Sequence, residues 1–345
     1  MRAGAKRAPI RLAPIACMML IAPEASAHVK WFTTTDVRTP PLALADVLGP
    51  AFLAGFGVFA MLVFAGFLLD SHIARRWPAI ASSGSRHEHT EEALIRLGTG
   101  AYFLCLWDQG GAILTPELLA NAAWVTLIQF AIAALVIWRS TCIVAGFGII
   151  ALYADGLVRY GVFHMTDYLF FVGTAAYLAL ISVRSPRLRR LREPILIGSL
   201  AFSLMWTAIE KFVYPQWTRA VVGTYPNLAM GFPIWLAIMI AGFVEFTLAF
   251  YLATGRGVLR LGAAAFGLIF LSAIPEFGHV DSVGHLLIVA ILGTLCLHGA
   301  SPLQQTWHGT RRGLILDAAG PPVLYLSALI TLFAAYYGLH WAEFG

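Results

Sequence analysis

Apolar runs long enough to cross a lipid bilayer recur along this chain, near residues 47–70, 94–113, 119–138, 140–160, 167–183, 194–212, 234–254, 258–275, 283–300 and 318–340. A helix needs about 20 apolar residues to cross a hydrocarbon core of roughly 30 Å, and in lipid it must satisfy its own backbone polar groups. Ten such runs in 345 residues leave little chain for anything else. The fold class that follows is an all-α polytopic membrane protein. Composition agrees, with 59% hydrophobic and 12% charged residues, where soluble domains carry about 25% charged residues.

The basic residues test the count of spans. With the mature chain starting outside, the inside loops collect Arg75, Arg76, Arg86, Arg96, Arg139, Arg184, Arg187, Arg189, Arg190, Arg192, Arg256, Arg260, Arg311 and Arg312. Only Lys30, Arg38, Arg159, Lys211 and Arg219 fall toward the outside. That bias alternates correctly through five inside loops, as positive-inside topology requires, and a wrong number of spans would scramble it. The net charge of +5 therefore speaks to topology. No basic, aromatic-interleaved surface segment points to a nucleic-acid partner.

Residues 1–27 read as a cleavable signal peptide. Arg2, Lys6, Arg7 and Arg11 form its basic region, Leu12 to Ala22 its apolar region, and Ala25-Ser26-Ala27 a small-residue cleavage site. Cleavage there makes His28 the first mature residue, on the periplasmic side of a bacterial inner membrane. A free N-terminal histidine can chelate copper through its amine and imidazole if another histidine completes the site. The cysteines, Cys17, Cys105, Cys142 and Cys296, are scattered with no C-x-x-C, which argues against a thiol–disulfide relay.

Two stretches 117 residues apart align without a gap, Tyr160 to Leu169 (YGVFHMTDYL) and Phe277 to Leu286 (FGHVDSVGHL). Each has an aromatic-Gly pair, then polar groups at helical spacing, then an apolar run. Weaker matches pair Gly98 to Leu104 with Gly198 to Leu204, Pro116 with Pro215, and Arg139 with Arg256. The chain thus divides into a signal peptide (1–27), an N-terminal segment with the first span and a polar linker (28–92), two four-helix units (93–192 and 193–300), and a last loop and span (301–345). Four spans per unit give both units one orientation, with a pseudo-symmetry axis along the membrane normal.

Candidate chemistry gathers in the outer half. Asp281 and His285 lie four apart on one helical face, so that Asp281 either orients His285 or caps the helix start. In the first unit His164 aligns with Asp281 and Tyr168 with His285, and Asp167 follows His164 at helical spacing. Glu245 sits near the middle of its span, and an intramembrane carboxylate points to function because burying it without a partner is expensive. Its alternative is an interhelical hydrogen bond to a group such as Gln129. Glu210-Lys211, before Tyr214-Pro215, reads as an interfacial ion pair or an anion site. His28, His164, Asp167 and His279 are candidate metal ligands. No P-loop, dinucleotide fingerprint, H-E-x-x-H or nucleophile elbow is present.

Three segments, Ala208-Ile209-Glu210-Lys211-Phe212-Val213-Tyr214-Pro215, Gly242-Phe243-Val244-Glu245 with Gly255 beyond it, and Gly278 to Leu286, resemble the DoxX-like family of four-helix inner-membrane proteins. The resemblance covers residues 194–300, with a weaker copy at 94–183, so the chain looks like a tandem DoxX-like protein. The first copy departs from the pattern, with Ile128 where the second has Glu245 and no Glu-Lys pair before Pro116. Such families include membrane subunits linked to sulfur-compound oxidation and quinone reduction. The resemblance implies an integral component of a quinone-linked or periplasmic redox system, with a membrane or periplasmic redox partner. Glu245, Glu210, Asp281 and His285 would line its site. A copper-handling or small-solute permease and a non-catalytic assembly protein are the alternatives.

Overall fold

The computed structural model describes residues 29–33, 35–81, 88–301, 304 and 314–345. The signal peptide, His28, Arg86, His87, His308, Arg311 and Arg312 lie outside the described residues. Among the described residues nine long helices follow one another: α1 (Pro50–Arg76), α2 (Glu88–Gln109), α3 (Ala123–Leu135), α4 (Cys142–Met165), α5 (Leu169–Ser182), α6 (Arg192–Val213), α7 (Ile234–Thr254), α8 (Val258–His298) and α9 (Leu314–Phe344). Among the described residues the only β-type pairing is an isolated bridge between Ala112 and Leu119. Six helical stretches among the described residues are long and apolar enough to cross a membrane. The chain is an all-α polytopic membrane protein.

Two of those stretches, Arg139–Ser182 and Val258–His298, run to 44 and 41 residues, about twice what one crossing needs. Each turns back on itself at a glycine. Gly161 has φ 82° and Gly278 φ 70°, conformations open to glycine and costly for residues with a Cβ. The contacts require the reversal. The Phe270 and His285 rings lie 4.3 Å apart, whereas fifteen residues of straight helix would separate them by about 22 Å. Likewise the Tyr153 hydroxyl donates to the Met165 carbonyl at 2.8 Å. So α8 is a helical hairpin, and α4 with α5 forms a second one. The two glycines are those of the aligned segments.

The packing between the two halves is reciprocal. Helix α2 lies along the second arm of α8, with Gly98 against Ala290, and α6 lies along α5, with Gly173 against Ser199. In both places the backbones approach too closely to admit a Cβ at the glycine, the way small residues let membrane helices pack. Each half thus sets its first helix on the other half's last. Helices α1 and α9 pack on one another and cover α6 and α7.

Two latches fix the remaining parts. Asp70 of α1, fully buried, accepts from the backbone N–H groups of Arg256, Gly257 and Val258 at 3.0, 2.7 and 3.0 Å and from Arg256 Nε at 2.9 Å. A carboxylate from a distant helix therefore satisfies the orphan donors at the start of α8. At the opposite end of the bundle the segment before α1 is tied down. Leu42 N donates to the Val213 carbonyl at 3.0 Å, Tyr214 Oη to Thr39 O at 2.7 Å, and Tyr337 Oη to Leu42 O at 2.6 Å.

Candidate functional site

The tied segment leads back to Lys30, whose side chain enters the bundle between the two halves. Its Nζ contacts Asp167, in the turn joining α4 to α5, and lies 2.5 Å from Glu210 Oε1 near the end of α6. The Trp217 ring centroid is 5.5 Å from the ammonium. Burial alone would lower the Lys30 pKa, but the charges of Asp167 and Glu210 outweigh it and hold the group well above the ordinary lysine range. The Tyr336 hydroxyl of α9 adds a 3.2 Å hydrogen bond to Glu210 Oε1.

Deeper in the bundle Lys211 donates to Glu245 Oε2 at 2.7 Å, both side chains buried. This corrects two expectations from the sequence. Adjacent in the chain, Glu210 and Lys211 pair with different partners, because neighbours on a helix point about 100° apart. Glu245 meets Lys211 rather than Gln129, whose amide donates to the Ala112 and Ile113 carbonyls at 2.6 and 3.0 Å.

Asp281 and His285 are buried, with Asp281 Oδ1 3.1 Å from His285 Nδ1. The approach is off-line, and neither Asp281 oxygen nor His285 Nδ1 has a directed hydrogen bond. Asp281 lies within α8 and caps nothing. The imidazole is held between aromatic rings, Phe270 at 4.3 Å and Trp31 at 4.7 Å. Trp31 packs on Gly284, where a Cβ would collide with the indole.

A groove connects these groups. Its lining combines apolar residues, Phe170, Leu200, Leu204, Phe266, Phe270 and Ile288, with polar ones, Asp167, Ser203, Glu210, Lys211, Glu245 and His285. It encloses about 680 Å³ counting its open mouth. The structure thus brings Glu245, Glu210 and His285 to one groove, with Asp281 behind His285.

The candidate metal ligands take separate partners. His164 Nε2 is 2.9 Å from Glu117, which also accepts from the Tyr168 hydroxyl. Asp167 holds Lys30, and the exposed His279 meets Gln109 at 3.1 Å. Among the described residues no group of three or more His, Cys, Asp or Glu is placed to hold a metal, and His28 lies outside them.

Lys30, Trp217 and Tyr336 are site residues that reading along the chain missed. Lys30 is a lone lysine beside Trp31-Phe32 in a segment without helical periodicity, and nothing local marks it for burial. No family model, no curated protein and no solved structure matches this chain.

Proposed function

We propose that this protein is a DoxX-like inner-membrane component of a quinone-linked redox system, and that the groove between α6, α7 and the α8 hairpin receives the quinone ring. The observation that carries this reading is the groove's composition. Phenylalanine and aliphatic side chains make up much of the lining, and the Lys211–Glu245 pair and His285 add donors and protonatable groups to it. A quinone head needs an apolar slot, a donor for each carbonyl oxygen and a proton carrier nearby. Lys211 Nζ and the Ser203 hydroxyl serve as donors. Glu245 and His285 serve as the carriers, with Glu210 at the mouth and Asp281 behind His285. The bacterial inner membrane, the periplasmic mature N-terminus and a periplasmic or membrane redox partner belong to the same proposal. They are supported by the charge bias of the loops and by the placement of the groove at the Lys30 end of the bundle.

The test is binding of a short-chain benzoquinone to the full-length protein in detergent, followed by quenching of tryptophan fluorescence, since Trp31 and Trp217 flank the groove. Saturable quenching that Glu245→Gln or His285→Ala weakens about tenfold, about 1.4 kcal/mol, supports the reading. Quenching that is linear in quinone and identical in both variants means partition into the micelle, and the reading is then lost to the assembly alternative.

A further inference from the structure

The outer end of the groove already holds a cation, and that cation belongs to neither half of the bundle. Asp167 comes from the turn after α4 and Glu210 from α6, one from each half, and both are buried. They converge on one point, with the Trp217 indole beside it. The point is filled by the Lys30 ammonium, delivered by a segment anchored elsewhere, at Thr39 and Leu42. Two carboxyl groups, those of Asp167 and Glu210, face the single ammonium of Lys30. Asp167 Oδ1 is buried without a hydrogen-bond partner, and Asp167, Glu210 and Trp217 all line the groove. An unpaired carboxylate oxygen in an apolar, aromatic-walled space is a strong acceptor with nothing to accept.

We propose that Asp167, Glu210 and the Trp217 indole form a binding subsite for a primary ammonium group, which Lys30 fills as a tethered occupant, so that an amine with an apolar tail binds by displacing it. Two carboxylates supply charge-assisted acceptors for a three-donor head, and the indole face supplies a cation–π contact. Beyond the subsite, Phe170, Leu204 and Phe270 line the space that an alkyl or aryl tail would enter. Displacement uncovers the groove as well, because Lys30 and the Trp31 ring over His285 are consecutive residues. The tail would enter the same groove that the quinone reading uses, but the ammonium subsite is argued from the Lys30 contacts and stands without that reading.

The experiment uses full-length protein in detergent, n-butylammonium chloride as probe, and sodium chloride or n-butanol as controls. Lys30→Ala is expected to melt below wild type and to regain stability saturably with n-butylammonium but not with either control. Adding Asp167→Asn to that variant should abolish the recovery. In wild type the probe competes with a tethered ammonium at an effective concentration on the order of millimolar, so its apparent affinity should be at least about tenfold weaker than in Lys30→Ala. Wild-type binding is read by amide hydrogen exchange over residues 30–33, which should rise with probe and saturate. Recovery that salt or butanol reproduces, or that survives Asp167→Asn, overturns the proposal. If Lys30→Ala does not accumulate, wild-type exchange decides, and unchanged exchange up to about 0.1 M probe, well above that effective concentration, overturns it.

Discussion

The two halves of the bundle share a frame and differ in what they do with it. Each reverses a long helix at a positive-φ glycine and sets its first helix on the other's last. In the first half His164 and Tyr168 are satisfied locally, since Glu117 takes both, and only Asp167 turns toward the groove and Lys30. In the second half His285 stands where Tyr168 does, Asp281 where His164 does, and both end beside a groove with bonding capacity unspent. Polar groups that pair locally fix a helix end, and those that do not remain available to a ligand.

The difference can be broken most forcefully at the Lys211–Glu245 pair, present only in the second half. Glu245→Leu leaves a buried ammonium unpaired and should lower stability by about 3–5 kcal/mol, while Lys211→Met with Glu245→Leu should recover most of it. Melting of the single and double variants in detergent checks this, and equal losses in both would contradict it. In the first half, Glu117→Ala should cost about 1–3 kcal/mol by stranding His164 and Tyr168, yet leave quinone binding unchanged. A matching loss of binding would show that the first half serves the site as well.

The paired glycines sharpen the comparison. Alanine at either position meets a positive-φ, extended-ψ backbone (ψ 170° at Gly161, −145° at Gly278) that is essentially glycine-only and costs about 1–3 kcal/mol. At Gly278 there is open space around the added methyl, whereas at Gly161 the Glu343 carboxylate occupies it. That carboxylate accepts from the Phe163 N–H at 2.8 Å. Gly161→Ala should therefore lower the melting temperature more than Gly278→Ala. The smallest expected effect on stability is at Ser203, whose hydroxyl accepts from the Phe170 N–H at 3.1 Å. Ser203→Ala should cost about 0.5–1.5 kcal/mol, read as a shift of a few degrees.

Fold class was legible in the chain because lipid imposes one requirement on every span, and runs of apolar residues answer it locally. The reversals fall in the gaps between the apolar runs 140–160 and 167–183 and between 258–275 and 283–300, but that Gly161 and Gly278 make them is seen only in the backbone. Boundaries were less legible. Helix α2 begins at Glu88, ahead of the apolar run at 94, because Glu91 is buried 2.8 Å from His298 Nδ1 and Glu92 lies 3.4 Å from Arg139 Nε. Charged residues that pair across the bundle extend a helix where hydropathy alone would end it.

Part of the candidate site was visible as residue types in unusual places, a glutamate at mid-span and an Asp-His pair at helical spacing. Their partners were not. Which charge meets Glu245 depends on how α6 rotates against α7, and Lys30 reaches Asp167 across 137 positions of chain. Periodicity and spacing carry information over a few turns of helix, which suffices for spans and shared faces. The pairing of buried charges is settled by which helices lie side by side, and so by the packing of the whole bundle.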